Sequence, residues 1–216
     1  MKENNNMSNY IIPITVAYGD GIGPEIMESA LLLLRESGAN IRVEALEIGS
    51  RIYNMGAEYG ILPSAWDMLK RNKILLKSPI IVPDNATQKN TDEKIYEKFS
   101  LSAETLTIYN KINIGDAEIL QASQNISEEF ALFETMHDAA PDIAGKDIAN
   151  PCAIIQASIL MLKHIGQSST ASLIENALMQ TIADGIHTTD IYSRSRSKKK
   201  VGTKEFTDEV VARLGR

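Results

Sequence analysis

The stretch Phe133–Pro151, which reads FETMHDAAPDIAGKDIANP, decides the fold more than any other part of this chain. An apolar, strand-like run ends at His137, a loop of small residues follows, and Asn150-Pro151 opens a long apolar helix. This order places backbone amides, one imidazole and one carboxylate beside a helix N-terminus, where an anionic pyrophosphate is favoured. The stretch therefore predicts a dinucleotide-binding loop between a strand and a helix.

The segments on both sides of this loop alternate between strand-like and helix-like patterns. Ile11 to Ala17 is apolar and β-rich, and Pro24 is well suited to open a helix that ends at Gly38. The same patterns predict strands from Ile41 and at 73–82, and helices at 151–165, from Ser169 or Thr170 to Gly185, and at 204–214. Because strands that alternate with helices indicate a parallel sheet covered by helices, we predict an α/β fold, a three-layer α/β/α domain with a largely parallel sheet.

Composition limits the class of protein. The chain has 216 residues, of which 44% are hydrophobic and 23% charged, as in ordinary globular domains. Its formal net charge of −6 argues against nucleic-acid binding, so the basic run Arg194–Lys200 is interpreted as a solvated loop. The single cysteine, Cys152, excludes an intramolecular disulfide and is predicted to be a buried thiol.

The N-terminal residues 1–9 are polar and rich in asparagine, and they are predicted to form a disordered lead-in. They lack the apolar core of a signal peptide, and no window is apolar enough for a transmembrane helix. The sequence therefore predicts a cytoplasmic protein without membrane partners.

A glycine-rich turn, Gly19-Asp20-Gly21-Ile22-Gly23, follows the first predicted strand. Glycines between a strand and a helix can cradle a pyrophosphate, but here the third glycine arrives one residue early and Pro24 follows it. We therefore favour a tight strand-to-helix turn that needs glycine dihedral angles over a phosphate cradle.

Several motifs together resemble the isocitrate and isopropylmalate dehydrogenases, the β-decarboxylating dehydrogenases. GDGIGPEI at 19–26 is similar to the family's opening, LKSP at 76–79 to its LKGP, HDAAPDIAGK at 137–146 to its cofactor loop HGSAPDIAGK, and VGTKEF at 201–206 to its end. The details look most like an NAD-type isocitrate dehydrogenase. The resemblance implies the large domain of that fold, and an ancestral reaction in which NAD and Mg²⁺ support oxidative decarboxylation of isocitrate to 2-oxoglutarate.

The resemblance divides the chain into two matching segments. Residues 10–83 and 125–216 match the two ends of the family's large domain, and a short bridge at 84–124 joins them into the single domain that we predict for 10–216. In family members an inserted smaller domain lies between these segments. It supplies an arginine-rich substrate motif and the general acid and base, none of which is recognisable here. The catalytic residues are therefore unknown.

The resemblance also assigns the cofactor residues. His137 is expected near the adenosine, and the backbone of Ala139 and Ala140 is expected to face the pyrophosphate. Asp142 is expected on the adenosine ribose, where a carboxylate favours NAD over NADP. The remaining assignments are Ile143 and Asn150 beside the adenine, Asp190 close by, and Asp138 at a position where the family has glycine and where a charged side chain crowds the pyrophosphate.

On the substrate side the resemblance is weaker. The family holds isocitrate with a serine, an asparagine and an arginine, and the corresponding residues here are Asn90, Asp92 and Tyr96. Asn90 is predicted to contact substrate, whereas tyrosine in place of arginine removes a bidentate partner for a carboxylate. Asp116 is the one recognisable ligand of the family's Mg²⁺ or Mn²⁺ site, because Leu120 replaces the second aspartate, and one aspartate makes a poor site for such an ion.

Two functions follow from these observations. The first is a shortened isocitrate dehydrogenase that binds NAD but does not oxidise isocitrate by itself. The second is a non-catalytic interaction or regulatory module, which forms a homo-oligomer or pairs with a full-length relative. In this hypothesis the surface that the missing domain once covered recruits the partner. The sequence leaves open whether any catalysis is retained.

Overall fold

The computed structural model describes residues 11–83, 90–109, 113–114, 117–118 and 122–215. Its strands are β1 (Ile12–Ala17), β2 (Ile41–Leu46), β3 (Ile74–Lys77), β4 (Leu106–Tyr109), β5 (Asn113–Ile114), β6 (Ala117–Glu118), β7 (Ala122–Ile126), β8 (Ala131–Thr135), β9 (Ile186–His187) and β10 (Lys199–Lys200). The central sheet contains six of these strands, in the order β2-β1-β3-β8-β7-β4. The four strands from β2 to β8 run parallel, whereas β7 and β4 extend the sheet in antiparallel fashion.

Seven α-helices accompany these strands in the described part of the chain. They are α1 (Gly23–Glu36), α2 (Ser50–Asn54), α3 (Ala65–Asn72), α4 (Thr91–Lys98), α5 (Cys152–His164), α6 (Ser168–Ala183) and α7 (Thr203–Val211). None of the helices in this part is long and apolar enough to cross a membrane.

The sheet separates two hydrophobic cores, because successive strand residues point to opposite faces. Ile74 and Leu76 of β3 pack into the core formed with α1, α5, α6 and α7. Leu75, between them, packs into the other core with Leu69 of α3 and Ile95 of α4. This arrangement confirms the predicted three-layer α/β/α fold with a largely parallel sheet.

The weakest part of the sequence pattern, between residues 83 and 125, contributes to this architecture where it is described. Helix α4 covers one face of the sheet, and β4 pairs with β7 at the sheet edge. The predicted strand at 73–82 is shorter than expected and ends at Lys77. Pro79, two residues later, has no N–H to continue a ladder.

The glycine turn after β1 is explained by packing. Gly21 has φ +60°, and a Cβ at this position would lie 1.9 Å from the Ala139 carbonyl oxygen. The Ile22 amide donates to the same oxygen at 2.8 Å. The turn therefore needs glycine so that it can approach the loop after β8, as the tight-turn interpretation expects.

Candidate functional site

The loop from Met136 to Pro151 lies where the parallel strands end. Strand β8 precedes it, helix α5 follows it, and β3 and β1 lie next to β8 in the sheet. Ligands of open α/β sheets bind at the carboxyl ends of the strands, so the predicted dinucleotide loop occupies the expected place. The loop is largely irregular and therefore depends on contacts with other elements for its shape.

Glu25 is the main anchor of this loop. One carboxylate oxygen accepts a hydrogen bond from the Gly145 amide at 3.0 Å, and the other accepts from the Thr203 hydroxyl at the start of α7. The Thr203 hydroxyl also lies 2.7 Å from the Ala149 carbonyl oxygen, so its one proton is shared between the two acceptors. Asp147 adds a second tie, because its carboxylate accepts from the Lys204 amide at 2.9 Å. Distant parts of the chain thus fix the loop jointly.

Removing this anchor is expected to weaken dinucleotide binding. In Glu25→Ala the Gly145 amide and the Thr203 hydroxyl lose a shared charged acceptor, so the loop is less ordered in the free protein. Part of the binding free energy is then needed to order the loop, and the affinity for the ligand falls. We expect the dissociation constant for dinucleotide to rise about tenfold, a typical effect of losing hydrogen bonds to a charged group. Calorimetric titration measures this, with Glu36→Ala at the far, exposed end of α1 as the control, and equal affinity of both variants would contradict the anchoring role.

His137 presents an unsatisfied acceptor. Its Nδ1 atom lies 3.0 Å from the Asp138 carbonyl oxygen, which can only accept, so Nδ1 carries the proton. The other ring nitrogen, Nε2, is then an acceptor, and it is buried without a hydrogen-bond partner among the described residues. Burial lowers the pKa of His137, and the positive charge of Lys77 lowers it further against the opposing effect of Asp138. The neutral imidazole is suited to accept a hydrogen bond from a ligand.

The lowered pKa of His137 predicts a pH dependence. A histidine whose pKa is lower in the folded protein contributes stability above its unfolded pKa of about 6.5, and this contribution is lost as the pH falls below that value. His137→Gln is therefore expected to reduce the loss of stability between about pH 6.5 and 5. Urea unfolding at both pH values tests this. Burial also lowers the pKa of His164, so His164→Gln is measured for comparison. An unchanged pH dependence of stability in His137→Gln would contradict the lowered pKa of His137.

The backbone next to His137 offers hydrogen-bond donors. The amides of Ala139 and Ala140 donate to no acceptor among the described residues, and Ala140 has φ +39°. The carbonyl group of Ala139 is used by the turn after β1. Ala139 is buried, Asp138 and Asp142 are exposed, and Ile143 packs at the edge of the core. The donors and the buried Nε2 acceptor fit a dinucleotide, and the cofactor roles of these residues remain predictions.

Asn150 and Asp190 contact each other directly. The Asn150 amide donates to Asp190 Oδ2 at 2.8 Å, and its oxygen accepts from the Cys152 amide at the start of α5. The Thr188 hydroxyl donates to the other Asp190 oxygen. Cys152 is buried, which confirms the predicted buried thiol, and burial followed by the charge of Asp190 raises the pKa of this thiol.

A buried ionic cluster lies at the end of β3, and we call it the Lys77 cluster: Lys77, Asp92, Tyr96 and Glu134. The Lys77 ammonium lies 3.0 Å from Glu134 Oε2 and 3.2 Å from Asp92 Oδ1. Tyr96 donates to Glu134 Oε1 at 2.8 Å. Burial alone would lower the pKa of Lys77, but the Asp92 and Glu134 carboxylates outweigh it and raise that pKa. Burial and Glu134 raise the pKa of Tyr96, so both groups hold their protons at neutral pH.

The predicted substrate and metal residues have different outcomes. Asn90 is the N-cap of α4, where its side-chain oxygen accepts from the Glu93 amide at 2.8 Å, so this oxygen is committed to the helix. The proposed metal ligand Asp116 and its neighbour Leu120 lie outside the described residues. Among the residues that are described, no group of three or more His, Cys, Asp or Glu side chains is arranged to hold a metal ion.

Other candidate residues also have structural roles. His187 Nδ1 lies 2.7 Å from the Ser197 hydroxyl, and Nε2 lies 3.1 Å from the Ile182 carbonyl oxygen. These bonds explain it as a satisfied buried histidine.

A groove of about 1020 Å³ runs along α1 and α7, and the predicted cofactor residues do not line it.

Sequence reasoning missed three residues of the site: Glu25, Lys77 and Glu134. The sequence contained a signal for two of them. Lys77 directly follows the apolar run Ile74–Leu76, and Glu134 directly follows the apolar run that ends at Phe133. Opposite charges at the ends of two buried strands predict an ion pair if the strands are neighbours. Strand order was not known from the sequence, so the pairing was not predicted.

Comparison with known proteins identifies the family. A family model described as isocitrate/isopropylmalate dehydrogenase matches residues 118–210. The isocitrate dehydrogenase (NADP) of Rickettsia felis is 31% identical over 337 residues, a match that covers 94% of this chain and 70% of the relative. The chain belongs to the isocitrate/isopropylmalate dehydrogenase family. Within this match the relative is longer, because the 337 aligned positions contain only 94% of this 216-residue chain.

Two further relatives show how the likeness is distributed. The 3-isopropylmalate dehydrogenase of Methanothermobacter thermautotrophicus is 45% identical over 95 residues, which is 44% of this chain and 27% of the relative. The crystal structure of isocitrate dehydrogenase from Methylococcus capsulatus superposes with a TM-score of 0.77 at 18% identity, over 95% of this chain and all of that one. The fold of this isocitrate/isopropylmalate dehydrogenase family member is therefore that of the Methylococcus capsulatus protein, and the chain matches 70% of the length of the Rickettsia felis relative.

Proposed function

We propose that this family member binds a nicotinamide adenine dinucleotide on the loop 137–150 and does not oxidise isocitrate by itself. The single observation that carries the proposal is the contrast between the two halves of the site. On one side, the Ala139 amide and His137 Nε2 have no partners among the described residues. On the other side, the residues that correspond to substrate ligands are bound within the protein, Asn90 by the start of α4 and Asp92 and Tyr96 by the Lys77 cluster.

The substrate side favours the second half of the proposal. Asp92 and Tyr96 stand where the family's asparagine and arginine are expected, and both belong to the Lys77 cluster. A tricarboxylate needs cationic, geometrically matched partners, whereas this cluster has two carboxylates and one ammonium. A bound oxidised nicotinamide would accept the hydride from the substrate. The oxidation also releases a proton from the substrate hydroxyl, and no general base for this proton is assigned to this chain.

A divalent metal is not part of the proposal. The described residues contain no cluster of three potential ligands, and Asp116 alone supplies one oxygen-bearing side chain. Because Mg²⁺ requires near-octahedral oxygen ligands, we derive no step through a metal. Oligomerisation with a full-length relative would supply the missing groups, and an activity assay with added relative tests it.

For the choice of dinucleotide we infer NADP. The carboxylate of Asp142 favours NAD, but it is exposed and therefore well screened. Arg194 and Arg196 lie in the turn that follows Asp190, and their side chains form no ion pair with the described residues. Guanidinium groups suit a 2′-phosphate, and the Rickettsia felis relative carries NADP in its name. This inference replaces the sequence-based expectation of NAD.

A steady-state assay tests the claim about activity. Purified protein with NADP or NAD, Mg²⁺ and isocitrate is expected to form no reduced cofactor above the rate without isocitrate. Binding of NADP and NAD is compared in parallel, and Arg194→Ala/Arg196→Ala is expected to weaken NADP binding while leaving NAD binding unchanged. Isocitrate-dependent reduction by the chain alone would refute the inactivity, and equal loss of both dinucleotides would refute the role of the two arginines.

A further inference from the structure

We propose that β2 is a self-association edge, on which a second copy of this chain adds its own β2 in antiparallel orientation about a two-fold axis at Val43. The inference goes beyond the proposed function, because it concerns a protein partner and needs no dinucleotide. It rests on the direction of the backbone groups of β2, on the exposure of its side chains and on the order of its charges.

Strand β2 is an edge strand of the central sheet. It pairs with β1 on one side, and no strand of the described residues pairs with its other side. The Ile12 amide donates to the Asn40 carbonyl oxygen, and Ile12 lies opposite Ile41. In a parallel ladder, alternate residues from Asn40 onward therefore bond to β1, and the backbone groups of Val43 and Ala45 point to the open edge. An added strand would pair with these two residues.

One face of this edge exposes apolar side chains. Val43 is 40% exposed and Ala45 is also exposed, whereas parallel strands of α/β domains are normally covered on both faces. The groove along α1 and α7 is lined by Ile41 and Val43 of β2 and by Leu31 of α1. Strand β2 reads IRVEAL and contains neither proline nor lysine, two residues that commonly block pairing at sheet edges. The edge is thus open to another strand.

The order of residues in β2 selects a second copy of the same strand. With the axis at Val43, this residue lies opposite Val43 of the second copy, and Ile41 lies opposite Ala45 on the same apolar face. On the other face Arg42 lies opposite Glu44, so that opposite charges meet twice. An axis one residue earlier or later would bring Arg42 against Arg42 or Glu44 against Glu44. The charges therefore favour the register centred on Val43.

Helix α1 has a charge order that suits the same axis. Glu28 and Arg35 border the groove seven residues apart, with Leu31 and Leu32 between them. Residues at this spacing lie on one stripe of a helix. A two-fold axis perpendicular to the sheet places the α1 helices of both copies antiparallel on the same face of the joined sheet. Glu28 of each copy is then directed toward Arg35 of the other.

Analytical ultracentrifugation over a wide range of protein concentration tests the association. The wild type is expected to form a reversible dimer. Val43→Pro removes an N–H that points to the open edge and no hydrogen bond of the β1–β2 ladder, so it is expected to raise the dimer dissociation constant at least about tenfold. Val43→Lys serves if the proline variant fails to fold, as checked by circular dichroism. Met179→Lys, at a similarly exposed apolar residue of α6, is the control and is expected to leave the association unchanged.

Disulfide cross-linking tests the register. Val43→Cys places two thiols on directly opposite residues whose Cα atoms are about 5.5 Å apart, a separation that a disulfide spans. Ala45→Cys is the matched control, because in this register the two copies of residue 45 are four positions apart along the strands, about 14 Å. Rapid formation of a covalent dimer is expected for Val43→Cys and not for Ala45→Cys. The native Cys152 is buried and does not compete.

Four results would overturn the inference. They are a wild type that stays monomeric at every concentration, a dimer that the folded Val43 variants leave intact, equal weakening by Val43→Lys and Met179→Lys, and cross-linking of Val43→Cys no faster than that of Ala45→Cys. None of these results depends on dinucleotide binding. A failure of the self-association edge is therefore distinguishable from a failure of the proposed cofactor site.

Discussion

Lys77→Met is expected to lower the free energy of unfolding by about 3 kcal/mol, because it leaves Glu134 as a buried charge without a cation. Asp92 loses the same partner but is partly exposed, so it contributes less to the loss. Among the described residues, Lys77 is the cation in ion-pair contact with Glu134, whose other oxygen accepts from the Tyr96 hydroxyl. Urea unfolding monitored through the single tryptophan, Trp66, measures the effect.

The controls separate charge burial from other causes. Lys70→Met, at an exposed lysine of α3, is expected to change stability by less than about 0.5 kcal/mol, as is usual for surface substitutions. Lys77→Met combined with Glu134→Gln is expected to recover part of the loss, because the uncompensated carboxylate is gone. If Lys77→Met were as stable as Lys70→Met, the buried ion pair described here would be wrong.

The second large effect is expected on ligand affinity. Asp138→Gly should strengthen dinucleotide binding about tenfold, since it removes a negative charge and a side chain next to the pyrophosphate, and a unit charge a few ångströms away contributes about 1 kcal/mol per phosphate charge in water. Asp138 does not have a positive φ, so the backbone itself does not require glycine there. The same substitution is therefore expected to lower stability slightly, through the greater freedom of glycine in the unfolded chain.

Asp138→Asn is the matched control, because it removes the charge and keeps nearly the same bulk. An affinity gain shared by the asparagine and glycine variants would assign the effect to charge, and a gain in the glycine variant alone would assign it to crowding. Weaker binding by Asp138→Gly than by the wild type would show that the pyrophosphate does not lie beside this residue.

The sequence was sufficient for the fold where periodicity and turn residues agreed. The apolar run around Ile14 is followed by the helix that Pro24 opens, and the bounds of β1 and α1 were predicted to within two residues. The end of β3 was predicted too far along the chain, because the apolar pattern continues past Pro79 to Ile80 and Ile81, whereas the strand ends at Lys77. The caps predicted at Ser169 or Thr170 were also wrong, since α6 begins at Ser168 and its N-cap residue, Gln167, makes no side-chain capping hydrogen bond.

For the candidate site, local motifs indicated candidate residues but not the residues that contact them. His137 and Asn150 were predicted from the motif, but the tautomer of one and the double hydrogen bonding of the other depend on residues elsewhere. Glu25 is 120 residues from Gly145, and only the folded chain brings them together. Contacts of this kind cannot be derived from periodicity, because they depend on which elements become neighbours.

The most direct test of the account is a calorimetric titration of the purified wild-type chain with NADP. We predict saturable binding of one dinucleotide per chain, with a dissociation constant between the micromolar and the low-millimolar range, because the loop is anchored while Asp138 opposes the pyrophosphate. A folded sample that releases no heat with NADP, and none with NAD, would contradict the proposal that this family member retains a cofactor site.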